Sequence, residues 1–287
     1  MTLDPRVNVF RPDLADARLE GEVVADRFVA GEPRRIVAPL AAIRRAPRSD
    51  AAIDSEALKG EIVHVFEETV EGWAWVQLAT DGYVGYVSSD ALGPVDPAPT
   101  HRVTALRTFV YPAADMKLPP VAALSLGSLL ALGPAAETRN TPYFWLADFS
   151  GAVVARHVEA LDAAPAADFV AVAERFLNLP YLWGGRSSLG LDCSGLVQLS
   201  LAAAGVQAPR DTGQQESAVG APVEGGLAGT LQRGDLVFWK GHVGILRDPT
   251  TLLHASGLQM MVVSEPLAQV LSRYDAAGIA VTAVRRI

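Results

Sequence analysis

The chain has 287 residues, 50% of them hydrophobic and 20% charged, with a net charge of −8 at pH 7. This is ordinary soluble globular material, enough for two or three domains, and without a basic block it argues against a nucleic-acid partner. The single cysteine excludes an internal disulfide and any multi-cysteine zinc or iron–sulfur site, and no apolar run approaches the length of a membrane span.

The N-terminal stretch lacks the basic start and apolar core of a secretory signal. The expectation is a cytoplasmic protein with no membrane partner, where reducing conditions suit a free thiol. Residues 1–35 are read as an N-terminal arm with a short helix around Pro12 to Arg18. Residues 36–96 then run as short β-type segments at 36–40, 61–66, 73–78 and 83–87, broken by turn signals. That spacing fits a small barrel. A long loop is expected from about Arg45, with Glu61 at its end. Trp73, Trp75, Tyr83 and Tyr86 suit either alternating core and surface positions or a ligand-facing aromatic surface.

Residues 97–160 read as a second, weaker copy, with segments at 102–106, 128–132, 143–146 and 151–155. The stretch 161–168 is a small, polar connection. It opens a third domain, 161–287, whose first helix is expected at 169–178 because Phe169, Val172 and Phe176 recur at helical spacing before Pro180.

Cys193 falls between Asp192 and Ser194-Gly195, just ahead of a helical run at 196–204. A thiol at a helix start faces unpaired N–H groups and the positive end of the helix dipole, and both favour thiolate. Gly184, Gly185, Gly190 and Gly195 let backbone approach a ligand closely. A lone cysteine is either a packed hydrophobe or a reagent, and these polar and glycine neighbours favour the reagent. A cysteine nucleophile needs a base and a group that fixes the base's tautomer. Of the five histidines, His242 opens the second strand of a hairpin at 234–246, and His254 lies twelve residues on in another short strand. Adjacent antiparallel strands would bring the two rings together. Residues 218–229 read as a loop.

The pattern of Tyr181, Asp192-Cys193-Ser194-Gly195, Arg233-Gly234-Asp235-Leu236-Val237-Phe238, Gly241-His242-Val243-Gly244-Ile245 and His254-Ala255 resembles the NlpC-type cell-wall peptidases. Gly72-Trp73, Trp75-Val76 and the run 81–87 resemble bacterial SH3-like domains. The resemblance implies an α+β chain: a papain-like cysteine peptidase domain preceded by two small SH3-like β-barrels. Carried over by position, Cys193 is the nucleophile, His242 the base and acid, His254 the residue that orients it, and Tyr181 a support for the oxyanion hole. No cofactor or metal is implied.

Two SH3-like domains before such a catalytic domain look like the γ-D-glutamyl-L-diamino acid endopeptidases. Their resemblance implies a murein-derived peptide as partner, with a first SH3-like domain closing the cleft beyond a free N-terminal L-Ala. Asp211 matches the family aspartate that meets this amine, and Thr212 stands where the family often has Ser. Ser194, with helix-start N–H groups, is a candidate for the D-Glu α-carboxylate, or a simple helix-start hydroxyl. Asp192 and Trp183 are further binding candidates, and Glu61 and Tyr86 are candidates from the first barrel. Two other readings stay open: an amidase or acyltransferase of papain-like fold acting on a non-murein substrate, and a non-catalytic cell-wall binding module.

Overall fold

In the strand Trp73–Leu78, Ala74, Val76 and Leu78 are fully buried, as a period of two demands for one face turned into a core. Trp75 points to the other face and is still only 4% exposed, because Val9 and Leu14 of the N-terminal arm pack over it beside Phe66. The arm is thus an apolar cover rather than a separate element. The structure is a computed structural model that describes residues 3–287. It divides into two units, one ending at Ala163 and the other beginning at Ala164.

The first unit holds a seven-stranded sheet in the order Ile53–Leu58, Leu40–Arg44, Val84–Ser88, Trp73–Leu78, Ile62–Glu68, Glu32–Ile36 and Leu92–Gly93, each antiparallel to the next. Ile36, Ile43, Val63, Val76 and Val87 fill its interior. Three expectations need correction. The segment 36–40 is the break between the strands Glu32–Ile36 and Leu40–Arg44, where Pro39 removes a ladder donor. The loop expected after Arg45 contains the strand Ile53–Leu58, whose buried Ser55 and Glu56 hide its strand character from a hydrophobic pattern. The helix expected around Pro12 to Arg18 is a two-residue strand, Ala15–Asp16, followed by a 3-10 turn, Ala17–Leu19. There the Asp16 carboxylate accepts from the Arg18 N–H at 2.9 Å, a local bond that competes with helix.

The rest of this unit is also β. A five-stranded sheet runs Ala122–Ser125, Arg107–Tyr111, Ala152–Val154, Thr141–Leu146, Leu132–Thr138, and a three-stranded one runs Leu129–Leu130, His101–Val103, Val158–Ala160. They share a core that includes Val103, Val110, Leu124, Leu130 and Val153.

The second unit is built on a six-stranded antiparallel sheet in the order Ala221–Pro222, Val281–Arg286, Leu236–Trp239, His242–Asp248, Thr251–Ser256, Met261–Pro266. Four helices accompany it: α1 (Phe169–Glu174), α2 (Cys193–Ala203), α3 (Thr212–Ala218) and α4 (Leu267–Ala276). Helix α2 is buried from Cys193 to Leu201, only its last residues reaching solvent, and packs on α1 and on the two histidine-bearing strands. A helix buried all round over more than two turns belongs inside a layered domain. Helix α1 is shorter than the expected 169–178; Asp168 caps it through the N–H groups of Val170 and Ala171, and Asn178, at φ 69°, turns the chain away. The segment 218–229 is mostly turn, with one strand pair to Val281–Arg286 and a 3-10 turn, Gly226–Ala228. Among the described residues, no helix is long and apolar enough to cross a membrane.

Candidate active site

The start of α2 is fastened by one carboxylate. Asp192 takes the N-cap position, with Oδ1 accepting from the Gly195 N–H at 2.7 Å and Oδ2 from the Gly184 N–H at 3.0 Å. Arg210, with a side chain 1% exposed, donates to both oxygens at 2.9 and 2.6 Å. The fit leaves no room for a side chain at Gly195, where a Cβ would stand 2.2 Å from the Gly185 carbonyl oxygen. Cys193 is therefore the first residue of a rigid helix, and its N–H lies outside the helical ladder. Its Sγ lies 3.7 Å from Thr212 Oγ1 and 3.9 Å from the Gly241 oxygen.

Gly241 leads directly into the strand His242–Asp248. The register that pairs Ile245 with Leu253 puts His254 diagonally across from His242, within reach for long side chains. Nε2 of His242 and Nδ1 of His254 are 2.7 Å apart. Beyond them, His254 Nε2 meets Glu265 Oε1 at 2.9 Å, and Arg273 donates to both Glu265 oxygens at 2.9 and 3.1 Å. The His242 ring is also held by aromatic neighbours. Tyr274 stacks on it at 5.5 Å between centroids and 20° between planes, and Trp239 lies 5.7 Å away.

A cleft of about 360 Å³ is lined by Tyr181, Cys193, His242, His254 and Tyr274 among others. Charge is disfavoured on both prospective partners. Burial, then the Asp192 charge, push the Cys193 thiol up, against hydrogen bonds from Thr212 and the Val243 N–H and the charge of Arg210. Burial, then His254 and Arg273, push His242 down to about 3. The resting pair is thus neutral thiol and neutral imidazole, where the helix start alone argued for thiolate. Burial, with the Cys193 and Asp192 charges, raises the Tyr181 hydroxyl, which stays protonated and able to donate. With Nε2 of His242 engaged by His254, Nδ1 is the nitrogen left for proton exchange with a thiol. Such an arrangement can support acyl transfer through a thioester.

The structure brings Cys193, His242, His254 and Tyr181 to one cleft, with Thr212 against the sulfur. Ser194 is placed otherwise. Its hydroxyl is buried and lies 2.9 Å from Arg210 Nη1 and 3.3 Å from Asp192 Oδ1, inside the helix-start cluster rather than facing the cleft. Asp192 likewise has both oxygens engaged there. Asp211 is half-buried at the N-cap position of α3, where its side chain makes no cap bond, and Trp183 is 64% exposed; neither lines the cleft. Glu61 and Tyr86 belong to the other unit. Glu61 accepts from the Leu58 N–H at 2.6 Å and the Thr80 hydroxyl at 3.0 Å, closing the turn after Ile53–Leu58. Tyr86 stacks on Trp75 and accepts from Arg11 at 2.7 Å. Arg210, Glu265, Arg273 and Tyr274 escaped the sequence reading. Arg210 stands beside the noted Asp211, but nothing local marks it as Asp192's partner. Among the described residues, no group of three His, Cys, Asp or Glu side chains is placed to hold a metal ion.

A helix-start cysteine packed against a sheet that presents two linked histidines defines a cysteine hydrolase of papain-like fold. Residues 178–276 match the NlpC/P60 family, and residues 43–92 match the bacterial dipeptidyl-peptidase SH3 domain. The catalytic domain is thus a cysteine peptidase domain of the NlpC/P60 type, with an SH3-like domain ahead of it. The chain is 29% identical over 239 residues to dipeptidyl-peptidase 6 of Lysinibacillus sphaericus, covering 77% of this chain and 86% of that protein. It is 29% identical over 235 residues to the γ-D-glutamyl-L-lysine dipeptidyl-peptidase of Bacillus subtilis, covering 72% of this chain and 73% of that protein. The fold is similar to that of a crystal structure of an NlpC/P60 family protein from Bacillus cereus, with a TM-score of 0.69 and 21% identity over 89% of this chain and 99% of that one.

Proposed function

We propose that the chain hydrolyses the bond between γ-D-Glu and the diamino acid of peptidoglycan stem peptides, acting in the cytoplasm on free muropeptides that begin with L-Ala, as a step of cell-wall recycling. What carries this reading is the presence in one chain of Cys193 in a cleft with the linked His242 and His254, and of a domain of the bacterial dipeptidyl-peptidase SH3 type. Two relatives at 29% identity named as dipeptidyl-peptidases support it, one of them a γ-D-glutamyl-L-lysine dipeptidyl-peptidase by name.

A cysteine peptidase with one cysteine has one thiol to use. In the proposed mechanism Nδ1 of His242 takes the proton from Cys193 Sγ as the sulfur attacks the γ-carbonyl carbon. The Cys193 N–H and the Tyr181 hydroxyl donate to the oxyanion. His242 then gives its proton to the departing α-amine of the diamino acid, which leaves a thioester on Cys193. A water deprotonated by His242 attacks that thioester and frees the dipeptide. Asp211 is the proposed partner of the substrate ammonium, a charge-assisted contact that a free N-terminal L-Ala provides and a longer peptide does not.

The experiment is a digest of L-Ala-γ-D-Glu-diaminopimelate, followed by mass spectrometry. The expected product is L-Ala-γ-D-Glu, and N-acetylation of the L-Ala is expected to lower the rate at least tenfold, about the effect of losing one charge-assisted hydrogen bond. Equal rates on both peptides would remove the free-amine requirement. No cleavage, with thioester exchange on other acyl donors, would favour the amidase or acyltransferase reading instead.

A further inference from the structure

We infer that Glu265 is a positioning residue: it fixes the tautomer of His254 and, through His254, the tautomer of His242, so that Nδ1 of His242 is left unprotonated for the thiol. The inference deepens the proposed mechanism and rests on its assignment of Cys193 and His242.

Three contacts fix where the protons sit. An ionised carboxylate only accepts hydrogen bonds. Glu265 is held in that form, since the Arg273 and His254 hydrogen bonds lower its carboxyl against the effect of burial. His254 Nε2, at 2.9 Å from Glu265 Oε1, therefore carries a proton. Burial outweighs the Glu265 contact and keeps His254 neutral, so its Nδ1 presents a lone pair. The proton in the 2.7 Å contact between the rings must then sit on His242 Nε2. A neutral imidazole with its proton on Nε2 has a bare Nδ1, the form that a general base requires.

The opposite arrangement shows why the third contact matters. Without an acceptor at Nε2, His254 is free to carry its proton on Nδ1 and donate it to His242 Nε2. That forces the His242 proton onto Nδ1, where it points a donor at the thiol. The two-histidine link alone is compatible with either direction; the carboxylate chooses between them. The choice also survives the reaction, because the imidazolium formed on His242 still donates from Nε2 to the same lone pair. Arg273 bonds both carboxylate oxygens, so Glu265 keeps its orientation and the pair adds no net charge next to the histidines. Cross-strand register supplies the placement: Val263 pairs with His254 and Glu265 with Leu252, two residues along on the same face.

The test reads tautomers directly, by two-bond ¹H–¹⁵N correlation on the ¹⁵N-labelled full chain at neutral pH. The wild type is expected to show both His242 and His254 protonated on Nε2. Glu265→Met, which keeps the volume and removes the acceptor, is expected to move protons to Nδ1 of both rings and to lower kcat on the order of a hundredfold with KM within about twofold. Across Glu265→Met, Glu265→Gln and Glu265→Asp, kcat is expected to follow the fraction of His242 protonated on Nε2. A wild-type spectrum with the proton on Nδ1 of either ring overturns the inference without any variant. So does a fall in kcat with both tautomers unchanged, or a tautomer switch with kcat retained. The spectra stand even if the muropeptide substrate proves wrong, so failure of the substrate reading and failure of this inference are distinguishable.

Discussion

Arg210 grips Asp192 through Nη1 to Oδ1 at 2.9 Å and Nη2 to Oδ2 at 2.6 Å, with 1% of the arginine side chain exposed. The pair sits under the first turn of the helix that begins with Cys193. Removing one member leaves a buried charge without its partner, which typically costs about 3–5 kcal/mol. Arg210→Met is expected to lose stability on that scale in urea unfolding. Arg210→Lys should recover only part of it, because one ammonium does not reproduce a planar two-point contact. An Arg210→Met protein as stable as the wild type would show that the pair merely tolerates burial.

Gly195 is constrained by space rather than by backbone angle. Its missing Cβ would stand 2.2 Å from the Gly185 oxygen and 3.0 Å from Asp192 Oδ1. Gly195→Ala must therefore push the helix start away from the 184–185 turn. The expected outcome is a loss of roughly 1–3 kcal/mol, as for overpacked cores, with a larger effect on kcat because Cys193 moves with the helix. Chemical denaturation beside steady-state kinetics checks both parts. Wild-type stability would mean that the turn yields easily.

What could be read in the chain beforehand divides along the same line. Cys193, His242 and His254 were legible because each sits in a short local pattern: a helix start, a hairpin, a following strand. The strand Trp73–Leu78 was legible because strand-favouring Trp73, Trp75 and Val76 run together between turn signals. Arg210, Glu265 and Tyr274 were not, since each matters only through a partner distant in sequence, and the same residue types on a surface would look identical. The strand Ile53–Leu58 was missed because its buried positions include Ser55 and Glu56, so burial there does not follow hydrophobicity. The hydroxyl of Ser194 was offered to a substrate because its neighbour is the nucleophile; only the path of Arg210 shows where it points.

Cys193 packs against Thr212 and the Gly241 carbonyl but forms neither disulfide nor ion pair. Cys193→Ala removes one sulfur atom from the interior and is expected to cost only about 1 kcal/mol of stability. Hydrolysis is expected to vanish, because no other thiol exists in the chain. Turnover of the peptide by the Ala variant at more than a trace of the wild-type rate would take Cys193 out of the mechanism.

The two linked histidines also set an acid limit on stability. Burial, then His254 and Arg273, hold His242 at about 3, against an ordinary value of 6.5. His254 is lowered as well, chiefly by burial. As pH falls through 6.5 the unfolded chain protonates both rings while the folded chain does not, so the unfolded state binds more protons. For His242 that stability is fully present above pH 6.5 and is lost as pH falls towards 3, by about 1.4 kcal/mol per pH unit well inside that window; His254 adds a loss in the same direction. Glu265, Asp168 and Glu174 have lowered carboxyls whose contribution is lost only near and below their ordinary values of 4.5, 3.8 and 4.5. Urea unfolding between pH 6.5 and 5 therefore isolates the histidines. His242→Gln is expected to flatten the slope of unfolding free energy against pH there by nearly one proton's worth, whatever its absolute stability. Parallel slopes for variant and wild type would mean that His242 takes up its proton in the folded chain as readily as in the unfolded one.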